Sequence, residues 1–139
     1  MKKTFIGTKT VKAEPMSAEC ANSMGYRVPT ILMDTMGYEI EYEDGYKSWC
    51  PKDVIEKHYK VAETYIDRMK IEHADLTARL AKLDKALDCT ADEGVKKFGP
   101  QQFTLMVLQH NYMILYANIL AKRIELAMSN DNANENENE

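Results

Sequence analysis

Gln101-Gln102-Phe103-Thr104-Leu105-Met106-Val107-Leu108-Gln109-His110-Asn111-Tyr112-Met113-Ile114-Leu115-Tyr116-Ala117-Asn118-Ile119-Leu120-Ala121 contains no charged side chain. Gln109-His110-Asn111 stands at its centre, so insertion into a bilayer would bury several polar groups, and the stretch reads as a covered helix rather than a membrane span. Within it and just beyond, Phe103, Met106, His110, Met113, Ala117, Leu120, Ile124 and Ala127 recur at intervals alternating between three and four, the spacing of a seam between packed helices. A matching series runs through Tyr59, Ala62, Ile66, Met69, His73, Leu76, Leu80, Leu83 and Leu87. The two segments, 51–88 and 101–128, are therefore expected to fold back as an antiparallel helical hairpin, each arm roughly 40 Å long at 1.5 Å per residue. Residues 88–100, with Thr90, Gly94, Gly99 and Pro100, read as the connecting loop.

The later helix carries more apolar surface than one partner can cover. Leu105, Leu108, Tyr112, Leu115 and Ile119 form a further stripe beside the seam, with Val107, Ile114 and Tyr116 between. A helix hydrophobic nearly all round is a buried one, so another copy of the chain is the simplest cover. Upstream, Tyr38, Ile40 and Tyr42 alternate with Glu39 and Glu41, Asp44-Gly45 supplies a turn, and Tyr46 to Trp49 extends again. That is a β-hairpin over 37–50, with one aromatic face and one charged face. Phe5 to Lys12 reads as a further short strand, and 14–36 as an irregular connection. The fold class is α+β: a small N-terminal antiparallel sheet packed on a long two-helix hairpin, as one domain over 1–129.

The net charge of −4 separates cleanly by segment. Residues 1–60 and 61–128 each balance Lys/Arg against Asp/Glu, which leaves the whole excess to Asp131, Glu135, Glu137 and Glu139. The Asn/Glu-rich segment 130–139 has no apolar anchor and reads as a disordered acidic tail. A neutral body argues against a broad nucleic-acid-coating surface, which needs many cations on one face. It leaves room for a few cations at one anion site. Met1-Lys2-Lys3 opens no continuous apolar run, so no secretory signal is read and a cytosolic protein is expected. Cys20, Cys50 and Cys89 are widely spaced and read as reduced thiols, with no metal site.

No nucleophile elbow, phosphate-cradling glycine loop or paired metal motif is present, so no catalytic residue is assigned. His73 and His110 fall on seam positions, where the ordinary reading is a core histidine with a hydrogen-bond partner. They could also face each other across the helix pair. Arg123, one of four arginines, borders the apolar surface of the later helix. With Lys122 near a helix C-terminus, it reads equally as a favourable partner of the helix dipole and as a planar, permanently charged guanidinium suited to a diphosphate or ribose phosphate. Trp49, Phe98, Phe103, Tyr112 and Tyr116 offer ring faces for a base, though such rings are more often core.

Two stretches carry a resemblance. Lys9-Thr10-Val11-Lys12-Ala13-Glu14-Pro15-Met16, with Gly37 to Tyr42 and Gly45-Tyr46-Lys47-Ser48-Trp49-Cys50-Pro51-Lys52-Asp53-Val54, resembles a bacteriophage module of the form K-x-V-x-A-x-P-M … G-Y-x-V-x-Y-x-D-G-Y-x-S-W-S-P-K-x-V-F. Cys50 stands where that module has serine, and Ile55 where it has phenylalanine. Gln109, Met113, Tyr116, Ile119, Leu120, Arg123 and Ile124 resemble a phage helical-hairpin module. Together they look like the phage Thoeris anti-defence sponge family of the first-described type.

That resemblance implies a non-enzymatic protein in the cytoplasm of an infected bacterium, which captures glycocyclic ADP-ribose, and in some members cyclic trinucleotides, without degrading it. It implies a homo-oligomer, from dimer to hexamer, with pockets at subunit interfaces. It needs no cofactor, DNA or membrane partner. It implies Arg27 and Arg123 as phosphate or ribose ligands, Phe98 or Phe103 as the stacking ring, Asn111 as a polar reader, and Lys60 at a second, cyclic-oligonucleotide site. The rival reading is a phage structural or assembly adaptor that works through protein contacts alone.

Overall fold

The computed structural model describes residues 1–7 and 9–136, the side chains of 132–136 excepted. It is α+β, with a small antiparallel sheet in the N-terminal part and long helices after it. The chain divides into two compact units, Met1–Lys60 and Val61–Glu139.

The first unit is a three-stranded sheet in the order β1 (Lys12–Ser17), β2 (Met36–Glu41), β3 (Lys47–Pro51), all antiparallel. The β2–β3 hairpin turns at Asp44-Gly45 as the sequence indicates, with Tyr42 N–H donating to the Tyr46 carbonyl at 2.9 Å. The first strand is displaced from its expected span of 5–12. Lys12 pairs with Glu41, the last residue of β2, so residues before Lys12 run past the end of the strand that β1 pairs with. Pro15 is tolerated inside β1 because β1 is an edge strand and needs to donate on one side only.

Two short helices pack on the sheet. α1 (Ala18–Ser23) is capped by the Ser17 hydroxyl, which accepts from Cys20 N–H, and it buries Ala18 and Ala21 completely. α2 (Lys52–His58) begins one residue after Pro51 and packs Ile55 toward the face that carries Tyr38 and Ile40. Ile40 is 2% exposed, and the Tyr38 hydroxyl donates to Glu56 on α2 at 3.1 Å. On the opposite face Trp49 lies over Gly37: a Cβ at position 37 would come within 2.6 Å of the indole and 2.3 Å of the Cys50 carbonyl oxygen. The indole N–H donates to the Met16 carbonyl at 2.9 Å, which ties β3 to β1 across the sheet.

The second unit is the helical hairpin. Its first arm, α3 (Tyr65–Leu87), starts later than the seam suggests, because residues 59–64 leave helical geometry. The start is set by a capping box: Thr64 Oγ1 accepts from Asp67 N–H, and the Asp67 carboxylate accepts from Thr64 N–H. Tyr59 and Ala62 therefore lie outside the helix, and the expected continuous segment 51–88 is two helices with a break. The expected loop 88–100 is largely helical. A second box between Thr90 and Glu93 nucleates α4 (Ala91–Phe98), and α5 (Pro100–Asn136) follows after Gly99. α5 remains helical through Asn136, where a disordered segment is expected from residue 130. Extending an existing helix adds a hydrogen bond per residue without a new nucleation cost. Residues 137–139 of the expected tail lie outside the described residues.

The α3–α5 seam follows the sequence pattern closely from Ile66 onward. Ile66, Met69, Leu76, Ala117, Leu120 and Ala127 are all buried, and Leu120 is fully so. Among the described residues, no helix is long and apolar enough to cross a membrane.

Candidate functional site

The hairpin holds its register with polar contacts beside the apolar seam. His110 on α5 hydrogen-bonds to Asp84 on α3, and the Tyr116 hydroxyl donates to Glu72. In this antiparallel register His110 sits level with Asp84 and not with His73, so the two histidines do not face one another. His110 is half-buried and satisfied, the ordinary role of a seam histidine. Around it, Ala81, Asp84, Lys85, Leu87 and Asp88 form an open notch of about 500 Å³ near the loop end of α3.

At the turn from α4 to α5, Gly94 and Phe103 fit together. A Cβ at position 94 would come within 2.2 Å of the Phe103 ring, so glycine is what lets the ring seat directly on α4. The Phe103 face is thereby occupied by the chain's own backbone. Phe98, at the end of α4, is half-buried, and Lys97 Nζ lies 5.1 Å from its ring centroid. A cation already resting on an aromatic face makes this elbow the one place in the hairpin, among the described residues, where ring and charge coincide.

The other sequence-derived residues are accessible but separate. Asn111 and Arg123 are exposed on α5. Twelve residues of helix put them about 18 Å apart, and twenty put Phe103 about 30 Å from Arg123 along the axis. Within one chain, then, a ligand of dinucleotide size cannot touch the elbow and Arg123 together. Arg27, in the coil after α1, and Lys60, after α2, belong to the first unit and are likewise exposed. No group of three His, Cys, Asp or Glu side chains suited to a metal is found among the described residues.

What dominates α5 is bare apolar surface. Leu105 (59%), Leu108 (46%), Tyr112 (69%), Leu115 (58%) and Ile119 (59%) are exposed, and the line continues to Leu126. They occupy the face turned away from the seam. Tyr112 is the most exposed ring of the stripe, a role that the surplus of apolar residues beside the seam foretells.

In the first unit, Glu39 is the electrostatic centre. It accepts from the Tyr26 hydroxyl at 2.6 Å and from Lys47 at 3.0 Å. These donors hold its carboxyl below the ordinary glutamate value, while the same contacts raise the Tyr26 phenol and the Lys47 ammonium. Burial, with Asp53 nearby, pushes the Cys50 thiol up and so disfavours its thiolate.

A family model described as Sequestin matches residues 63–126, from the residue before the Thr64 cap through most of α5. The match takes in α3, α4 and the bare stripe, and it is consistent with a sequestering protein. No curated protein and no solved structure matches the chain.

Proposed function

We propose that this chain is a phage anti-defence protein that, as a homo-oligomer, binds and holds glycocyclic ADP-ribose without degrading it. The observation that carries the reading is the solvent-exposed apolar stripe of α5 from Leu105 to Ile119, flanked by Arg123 and lying inside the segment that the Sequestin model matches. Monomeric soluble proteins rarely leave so long a contiguous apolar patch open.

The stripe is self-complementary in one orientation. Leu105, Leu108, Tyr112, Leu115, Ile119, Lys122 and Leu126 keep the alternating three-and-four interval of a two-helix seam. Laid antiparallel on the same stripe of a second copy, Tyr112 meets Leu115, Leu108 meets Ile119, and Lys122 meets Leu105. Parallel pairing would instead set Lys122 against Lys122 in an apolar seam. The antiparallel pair also answers the distance problem within one chain. Arg123 of a partner subunit comes level with Thr104, beside the elbow that carries Lys97 and Phe98. A diphosphate would take the guanidinium, and an adenine ring would take the Phe98 face in preference to that of Phe103, which Gly94 covers. Asn111 supplies a polar contact along the groove. Arg27 is proposed as a further phosphate ligand, and Lys60 as a contact for cyclic trinucleotides at a second site.

The test is depletion and return. The protein is incubated with glycocyclic ADP-ribose, free ligand is measured after filtration, and the protein is then heat-denatured. Sequestration predicts loss of free ligand and its recovery intact. Undiminished free ligand would favour the adaptor reading, and an altered product would mean turnover. Arg123→Ala should abolish depletion while leaving the oligomer unchanged.

A further inference from the structure

The aromatic face of the sheet extends past the end of α2, and there the hairpin tip forms a cleft of about 470 Å³ lined by Lys9, Thr10, Tyr42, Glu43, Asp44 and Tyr46. The Tyr42 and Tyr46 rings stand 5.8 Å apart between centroids, inclined by 30°. Lys9 Nζ lies 5.4 Å over the Tyr42 ring. Two π faces with two carboxylates beside them favour a positive group, because the ring quadrupole and the anions act in the same direction. The chain's own ammonium already occupies that position. Asp44 is partly committed, since its Oδ1 accepts from Tyr46 N–H at 3.0 Å, which also fixes the ring-bearing residue at the turn. Glu43 has no such tie among the described residues.

We propose that this cleft is a binding site for an organic ammonium group, with Lys9 as its intramolecular occupant. The geometry differs from that of an anion site: the groups around the rings are acids, and the single cation lies on the π face rather than at the rim. An external alkylammonium would displace Lys9 from the Tyr42 ring, with Tyr46 and Glu43 lining the same cleft. The site lies wholly in the first unit and is independent of the nucleotide reading.

The probe is tetramethylammonium chloride, titrated into the full chain and followed by NMR shifts of the Tyr42 and Tyr46 ring protons, with a parallel titration of sodium chloride at equal ionic strength. Saturable shifts larger than those produced by sodium chloride are expected, with upfield movement of the methyl resonance from ring currents. Lys9→Ala should tighten binding several-fold by removing the competitor. Glu43→Gln and Tyr46→Leu should weaken it, and both positions are exposed enough to leave the sheet folded. Shifts indistinguishable from those with sodium chloride, or binding unchanged or weakened by Lys9→Ala, would overturn the proposal.

Discussion

The two units spend their apolar residues differently. In the sheet unit, the motif residues that catch the eye are absorbed by packing: Gly37 makes room for Trp49, Tyr38 reaches α2, and Trp49 reaches across to β1. In the hairpin, α5 buries one face against α3 and leaves the opposite one bare. A distinctive motif can therefore be exhausted by folding, while an undistinguished run of leucines keeps its surface bare. The following substitutions sharpen or break that contrast.

The largest effect is expected inside the hairpin seam. Leu120 is fully buried, and Leu120→Ala should cost about 4 kcal/mol, within the range for core truncations, measured by urea unfolding. Leu115 lies on the bare face of the same helix, and Leu115→Ala should change the stability of the isolated subunit by no more than about 0.5 kcal/mol. Equal costs for the two would end the distinction between the faces.

Next comes Gly37→Ala. The new methyl would press on the Cys50 carbonyl and the Trp49 ring, so β3 must shift, at about 3 kcal/mol, the upper end of ordinary overpacking. Loss of the native Trp49 fluorescence maximum at lower denaturant would report it. A neutral outcome would mean that the Gly-Trp pair of the module is not a packing pair.

Thr90→Ala removes one half of a capping box and should cost about 1 kcal/mol, seen as faster amide exchange through α4. Acid should act more mildly and more broadly. Glu39, Asp67 and Glu93 all have carboxyls held below their ordinary values by hydrogen bonds. Their contribution is therefore complete above those ordinary values, 4.5 for glutamate and 3.8 for aspartate, and is lost as pH falls through the lowered ones. Glu39→Gln should flatten the acid limb of Trp49 fluorescence while leaving the limb of helical circular dichroism in place.

Much of the hairpin is legible from spacing alone, since a seam of alternating three and four intervals survives any detail of the ends. From Ile66 to Ala127 the expected positions are the buried or half-buried ones. What spacing misses is local. Thr64-x-x-Asp67 and Thr90-x-x-Glu93 are start signals for helices, yet an apolar period runs through the first and a glycine-containing stretch surrounds the second, and each masks the signal. The first strand is misplaced by alternation because alternation marks a strand-like segment without saying where its partner ends. The site residues are legible as types and not as a constellation: Arg123 and Asn111 are exposed on α5, but Phe103 is taken by Gly94, and only an assembly could bring Arg123 to the elbow.

Native mass spectrometry of the full chain with glycocyclic ADP-ribose joins these claims in one spectrum. An even-numbered oligomer carrying ligand of unaltered mass is expected, with assembly and ligand lost together in Leu115→Glu. A monomer, with or without ligand, or an oligomer that keeps its ligand in Leu115→Glu, would contradict it.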